Sequence, residues 1–465
     1  MRVDTLKLMK RLSQRARRVM WMLAVMAVAF TLTPEQAQAQ QARRITFDEA
    51  VRVALDQNYF LNRSANNVEA QTINVAREKW NFWPNLNFSS SSGQNRGRRF
   101  IPELNEIISS ASTSLSSSVS AGLNVFNGFG DVASLKQARF QVNARGNDYE
   151  RQRQTVVFTV MSNYLNLIAR REQIRIREEN LTAQQQLLAQ IEEFVRVGQR
   201  ATADLFQQQA GTALAEANLL DAQRFYQLAE VALIQTLQLD PFGVYDFVVP
   251  QVDETVLVPE QYNVRAMMEN AFDRRLDLQA SRLDIDVAEQ GIRIARSNYW
   301  PSIGFGFSTS FRYDDSRTQT DFSTQFFEER STNVGFNLSF PIFDRFLTRS
   351  SVQQAKIQLR NARLDLENTR QDIALQVRQA YLDYLIDEKQ LDVTDKQFRA
   401  SEQALEAEQE RYNVGVSTLV ELTQARATFE QASSDQIEAR YNFLFRKKLI
   451  EYYIGVLDPT AQLFQ

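Results

Sequence analysis

Cysteine and histidine are both absent from this 465-residue chain. Without cysteine there are no disulfides and no thiolate metal sites. Without histidine there is no imidazole base and no imidazole ligand, so zinc sites of the usual ligand sets are excluded as well. Enzyme chemistry would have to rest on carboxylate, lysine, serine or tyrosine, and no cluster of these marks a pocket. No cofactor or metal is expected. A formal charge of -3 and a sequence pI near 5.5 show no basic excess for nucleic acid. Proline is scarce, with 9 residues in all, and glycine numbers 15. After the first forty residues, no apolar run reaches the roughly 18 residues of a membrane helix. A mature chain that crosses a membrane must therefore cross it with strands.

The first forty residues read as processing. Arg2, Lys7, Lys10, Arg11, Arg15, Arg17 and Arg18 precede an apolar stretch from Met20 to Leu32. Ala37-Gln38-Ala39 then has the small-x-small form of a cleavage site. Residues 1–39 are expected to be a signal peptide rather than an amphipathic or anchoring helix, because the apolar core is short and a cleavage site follows it.

What the remainder contains, it contains twice. Asn81-Phe82-Trp83-Pro84 returns as Asn298-Tyr299-Trp300-Pro301, 217 residues later. At the same offset Phe126 returns as Phe343, Tyr164-Leu165 as Tyr381-Leu382, Gly198 as Gly415 and Leu205 as Leu422. Two such copies must fold alike and pack as near-equivalents. The expected division is a first repeat over 40–237, a connection over 238–262, a second repeat over 263–458 and a tail over 459–465.

Each copy opens with helical sequence. Thr46 and Glu49 form a capping box, and a further helix runs from about Leu61 to Asn81. The period then changes to two. Strands are expected near 84–93 and 115–126 in the first copy, and near 301–313 and 332–343 in the second, with polar loops between them. Leu115, Val119, Ala121, Leu123 and Val125 should share one face, and Ile303, Phe305 and Phe307 another of the same kind. Ser, Gly and Asn fill the opposite faces. A soluble sandwich and a membrane sheet both alternate. The membrane reading fits a polar face with no charge except Arg312 and a length of about ten residues. Four strands cannot close a barrel, and open edges in lipid are costly, so a membrane sheet requires several chains.

A long helical hairpin follows each strand pair, over about 130–237 and 347–453. Ala, Leu, Gln, Arg and Glu dominate, all good helix formers. Val156, Val160, Tyr164 and Leu167 recur as Ile373, Val377, Tyr381 and Tyr384, a narrow apolar stripe of coiled-coil type. The hairpins turn at Val197-Gly198 and Val414-Gly415, where glycine permits a left-handed helix end and a following Ser or Thr can cap the return helix.

In this order, with Tyr-Asn-Val-Gly-x-x-Thr-x-x-Glu-Leu at Tyr412 to Leu422, the chain resembles the outer membrane efflux protein family, the TolC-like ducts of tripartite export systems. The resemblance spans nearly all of the mature chain. It implies a homotrimer with a twelve-stranded transmembrane β-barrel in the outer membrane lipid bilayer and an all-α periplasmic tunnel. It also implies a periplasmic adaptor and an inner-membrane efflux pump or ATP-driven exporter as partners, and no catalysis. Adaptor docking would fall on the hairpin tips: Val197, Gly198, Leu205, Val414, Gly415 and Leu422. The family's entrance carries two acidic positions. Glu421 matches the first, Gln424 departs from the second, and Asp204 matches Glu421 in the first repeat. Tyr412 keeps a latch position, whereas Ser417 stands where an arginine is expected and Arg200 takes the corresponding slot of the first repeat. Carboxylates ringed around a narrow axis would have raised pKa values. Other classes fit less of the chain. A structural coiled-coil protein of the envelope leaves the strand pairs without purpose, a diffusion porin leaves the helices without one, and a carboxylate hydrolase lacks a pocket.

Overall fold

The computed structural model describes residues 43–101, 105–249, 257–317 and 320–457. Residues 1–39, expected to be a signal peptide, the whole tail over 459–465 and part of the connection lie outside these residues.

A small unit pairs β1 (Arg43–Ile45) in parallel with β4 (Tyr245–Phe247). It places a strand inside the connection expected over 238–262. The main unit holds everything else described. Its helices are α1 (Phe47–Gln57), α2 (Tyr59–Trp80), α3 (Gly130–Arg196), α4 (Thr202–Leu237), α5 (Val264–Arg274), α6 (Leu276–Ser297), α7 (Leu347–Asn413) and α8 (Leu419–Tyr453). Its strands are β2 (Asn85–Ile101), β3 (Glu106–Asn127), β5 (Ser302–Asp314) and β6 (Ser331–Ser339).

Caps set the helix starts. The Thr46 hydroxyl accepts from the Glu49 amide at 3.3 Å, and the Asn58 side chain accepts from Phe60 and Leu61 at 3.0 and 3.1 Å. α3 and α7 are each 67 residues, about 100 Å of helix. Both start after two left-handed residues, Gly128-Phe129 and Arg345-Phe346. The duplication therefore survives where glycine has become arginine. Gly128 has a packing reason as well, since a Cβ there would lie 2.4 Å from the Ser297 carbonyl oxygen.

The strands form one antiparallel sheet in the order β2-β3-β5-β6. Register aligns Leu86, Ala121, Phe307 and Val334 in one row, and Leu123, Phe305 and Phe336 in another. The rows on the other face hold Asn85, Gly122, Gly306 and Gly335, then Asn87, Ser120, Ser308 and Asn333. The alternation is thus continuous across all four strands.

Three strand details differ from expectation. β2 reaches Ile101 and β3 starts at Glu106, well inside the polar loop expected between them, because each strand completes the other's ladder where local strand preference is weak. A bulge at Val125 pairs Phe126 with Ile303, so Phe126 rather than Val125 continues the apolar rows. β6 stops at Ser339 instead of continuing to 343, since Pro341 has no amide to offer. The loop before β6 is also less polar than it reads. A π-helical turn (Thr324–Glu328) stacks Phe326 on Phe311 and Phe322 around the buried Gln325, whose amide group bonds Asp314, Arg317 and Thr320.

The helical core is a narrow seam. α3 packs on α2, α4, α6 and α8, and α7 packs on α5, α6 and α8. Met267, Leu278, Ile373, Val377, Tyr384, Phe443 and Ile450 form one buried cluster. Tyr384 stands where the first copy has Leu167. Its hydroxyl accepts from the Glu260 amide at 2.7 Å and donates to the Glu260 carbonyl at 3.1 Å. That bond anchors a segment after the connection, a task the equivalent first-copy position does not have. Among the described residues, no helix is long and apolar enough to cross a membrane.

Candidate functional site at the hairpin tips

Both tips close in the same way. At the first, the amides of Gly198 and Gln199 donate to Val195 and Phe194 at 3.0 and 2.8 Å. At the second, Gly415 and Val416 donate to Tyr412 and Arg411 at 3.0 and 2.9 Å. This is the paired C-terminal closure that requires a left-handed residue, and Gly198 and Gly415 supply it at φ 76° and 77°.

The return helices start differently. Thr418 caps α8, and its capping box with Glu421 is complete: Thr418 accepts from the Glu421 amide at 3.3 Å, and the Glu421 carboxylate accepts from the Thr418 amide at 2.8 Å. α4 begins after Ala201, which has no side chain to cap with, and Thr202 lies inside the helix. The expected Ser or Thr cap therefore exists only at the second tip. Asp204, the counterpart of Glu421, is half-buried in the first turn of α4 without a box.

Ser417 is buried where an arginine was expected. Its hydroxyl contacts the Glu408 carboxylate and lies 3.0 Å from Glu421. Glu408 also pairs with Arg411 at 2.7 Å. Ser417 thus ties its own hairpin together. Sequence reading did not single out Glu408. It lies nine residues before Ser417 on α7, and only the turn brings it back. The Glu421 carboxyl is held below the ordinary glutamate value, first by the Thr418 amide, then by the Ser417 and Thr418 hydroxyls. Within one chain the pull is therefore opposite to the upward shift that a ring of like charges would impose.

Arg200 reaches the other hairpin. Its guanidinium lies over the Tyr412 ring, 4.9 Å from the centroid. Burial pushes the Tyr412 phenol up, the Arg200 charge opposes that, and Asp204 adds to it. Arg200, Asp204 and Tyr412 are therefore brought together. The Tyr412 hydroxyl is buried without a hydrogen-bond partner. Gln424 is exposed on α8.

Beneath these contacts Leu187, Ile191, Tyr412, Leu419 and Leu422 form a small core, with Leu205 packed on it. Leu422 is fully buried in this core and Leu205 half-buried against it. Val197 and Val414 are exposed, as are Phe206, Val416 and Val420, which sequence reading did not name.

The architecture has close relatives among solved structures. The chain superimposes on the Campylobacter jejuni CmeC outer membrane channel with a TM-score of 0.76 and 17% identity, over 90% of this chain and 87% of that one. It superimposes on the open state of the Neisseria gonorrhoeae MtrE outer membrane channel with a TM-score of 0.69 and 19% identity, over 90% and 91%. The chain therefore shares the fold of these two channels. The sequence carries the same assignment further: the family model for outer membrane efflux proteins matches residues 50–237 and 267–448, and the chain belongs to that family. Outer membrane protein TolC of Escherichia coli is 23% identical over 356 residues, which cover 75% of this chain and 71% of TolC. The family consists of outer membrane channels, and this protein is an outer membrane transport protein with a periplasmic tunnel.

Proposed function

We propose that three copies of this chain form a continuous export duct, with a twelve-stranded barrel in the outer membrane and the hairpins as a periplasmic tunnel. The observation that carries the reading is the exposed apolar face of the sheet. Leu86, Phe88, Val334, Phe336 and Leu338 are each more than 60% exposed, and both edge strands, β2 and β6, are unpaired on one side. Neither feature is stable in water, and an open edge is not stable in lipid. Pairing β6 of one copy with β2 of the next removes the open edges, and the bilayer covers the apolar face. The row of Asn, Ser and Gly then lines a polar lumen. α7 carries Ile357, Leu364, Leu375, Leu382, Ile386 and Val393 as an exposed stripe, and the matching helix edge of a second copy would cover it.

The tips form the entrance, docked by a periplasmic adaptor that links to an inner-membrane pump or ATP-driven exporter. The exposed Val197, Val414, Val416, Val420 and Phe206 supply apolar docking contacts. Glu421 and Asp204 set the charge of the entrance, and Arg200 on Tyr412 is the contact that holds it narrow. Small molecules or secreted proteins are the cargo. A relative from Pseudomonas aeruginosa, 22% identical over 67% of this chain and 64% of its own length, is named an alkaline protease secretion protein.

Planar-bilayer recording of the purified full chain tests this reading. Discrete, long-lived conductance steps are expected, with weaker cation selectivity and weaker divalent block in Glu421→Ala. A chain that never inserts refutes the duct, and unchanged selectivity and block refute the role of Glu421.

A further inference from the structure

Where α6 ends and α3 begins, just below the sheet, lies a cavity of about 330 Å³. It is lined by Lys136 on α3, Arg293 and Arg296 on α6, and by Phe129 and Trp300. No carboxylate lines it. Among the described residues none of the three cations is ion-paired. The acid beside Gln290 in the chain is turned elsewhere: Glu289 pairs with Arg363 at 3.7 Å. Asp131, in the first turn of α3, does not line the cavity.

Gln290 is the second observation. It lines the same cavity at 6% exposure, and its amide oxygen has no hydrogen-bond partner. A buried amide oxygen left unpaired costs free energy that a donor in the cavity would recover. Three unpaired cations therefore meet an unsatisfied acceptor.

The level of the cavity in the fold says what can reach it. Trp300 and Phe129 are exposed, and β5 starts two residues after Trp300. The first apolar row of the sheet, Phe126 with Ile303 and Leu338, follows directly. Exposed aromatics at the end of an apolar band mark the headgroup level of a bilayer. The duplication repeats the charge at this level. Lys79, Arg345 and Arg349 hold the offset positions of Arg296, Gly128 and Val132, and they too lack an ion pair among the described residues.

We propose that this cavity binds the headgroup of an anionic, hydroxyl-bearing phospholipid. Lys136, Arg293 and Arg296 take the phosphodiester. A headgroup hydroxyl donates to Gln290, and Phe129 and Trp300 flank the start of the acyl chains. The inference rests on the membrane reading of the sheet. Its chemistry is phosphate recognition, and its source is the bilayer rather than free phosphate.

Native mass spectrometry of the detergent-purified full chain, with dipalmitoyl phosphatidylglycerol as probe, tests it. One saturable lipid per chain is expected. Apparent affinity should fall about tenfold or more in Arg293→Gln/Arg296→Gln, as expected for lost charge-assisted hydrogen bonds. It should be largely kept in Arg293→Lys/Arg296→Lys and unchanged in Lys389→Gln, an exposed cation on α7 that does not line the cavity. Dipalmitoyl phosphatidylcholine should bind more weakly than phosphatidylglycerol. Equal retention by wild type and the Gln variant overturns the proposal. So does displacement by inorganic phosphate at equal concentration, which would make free phosphate the ligand. Bilayer insertion separates the two readings. A chain that inserts normally but shows no selective lipid fails only this inference, whereas one that does not insert fails the duct itself.

Discussion

Replacing Arg200 by alanine tests how the two hairpins are held together at the tip. The guanidinium sits 4.9 Å from the Tyr412 ring centroid at a half-buried position. A contact of this kind contributes about 0.5–1 kcal/mol where solvent still reaches it. In the proposed trimer, three copies acting on one entrance would sum to about 1.5–3 kcal/mol, or roughly a ten- to hundredfold shift toward the open state. The ring carries the contact, because the hydroxyl is buried without a partner. Tyr412→Phe should therefore leave gating as it is, and removing an orphaned hydroxyl costs nothing or gains up to about 1 kcal/mol. Tyr412→Leu should behave like Arg200→Ala, and Arg200→Lys should fall between. Single-channel open probability in planar bilayers reads all four. The reasoning is refuted if Arg200→Ala gates like wild type, or if Tyr412→Phe opens the channel as far as Tyr412→Leu does.

Three further outcomes follow from the same geometry. Glu421 has a lowered folded-state pKa, so the stability of its capping box is complete above the ordinary glutamate value and is lost as pH falls through the lowered one. Amide exchange at the second tip, corrected for intrinsic rates, should accelerate below about pH 4, with the uncapped first tip as internal reference. Gly415→Ala meets no neighbouring atom within 4 Å, so its cost is the left-handed backbone alone. That is about 1 kcal/mol, read as roughly fivefold faster exchange at Val416, with Gly415→Asn milder. Tyr384→Phe removes both bonds to Glu260 and should cost about 1–2 kcal/mol of local stability, seen as exchange at the Glu260 amide. Unchanged exchange there would deny the hydroxyl its anchoring role.

The parts of this protein that were legible in advance are those a short window of chain decides. A helix free of proline, a strand with period two and a glycine at a turn each follow from local sterics and from which side chains must share a face. The duplication at a 217-residue offset added the pairing of like with like. The edges of elements were less legible, because a partner strand can carry Ser-rich sequence into a ladder and a bulge at Val125 can reset a face. What only the tertiary structure decided are contacts between groups far apart in the chain. Examples are Glu408 folded back on Ser417, Arg200 carried onto Tyr412, Tyr384 bonded to Glu260, and three unpaired cations around Gln290. Their partners are chosen by how hairpins and helix ends pack, and no periodicity within either segment encodes that choice.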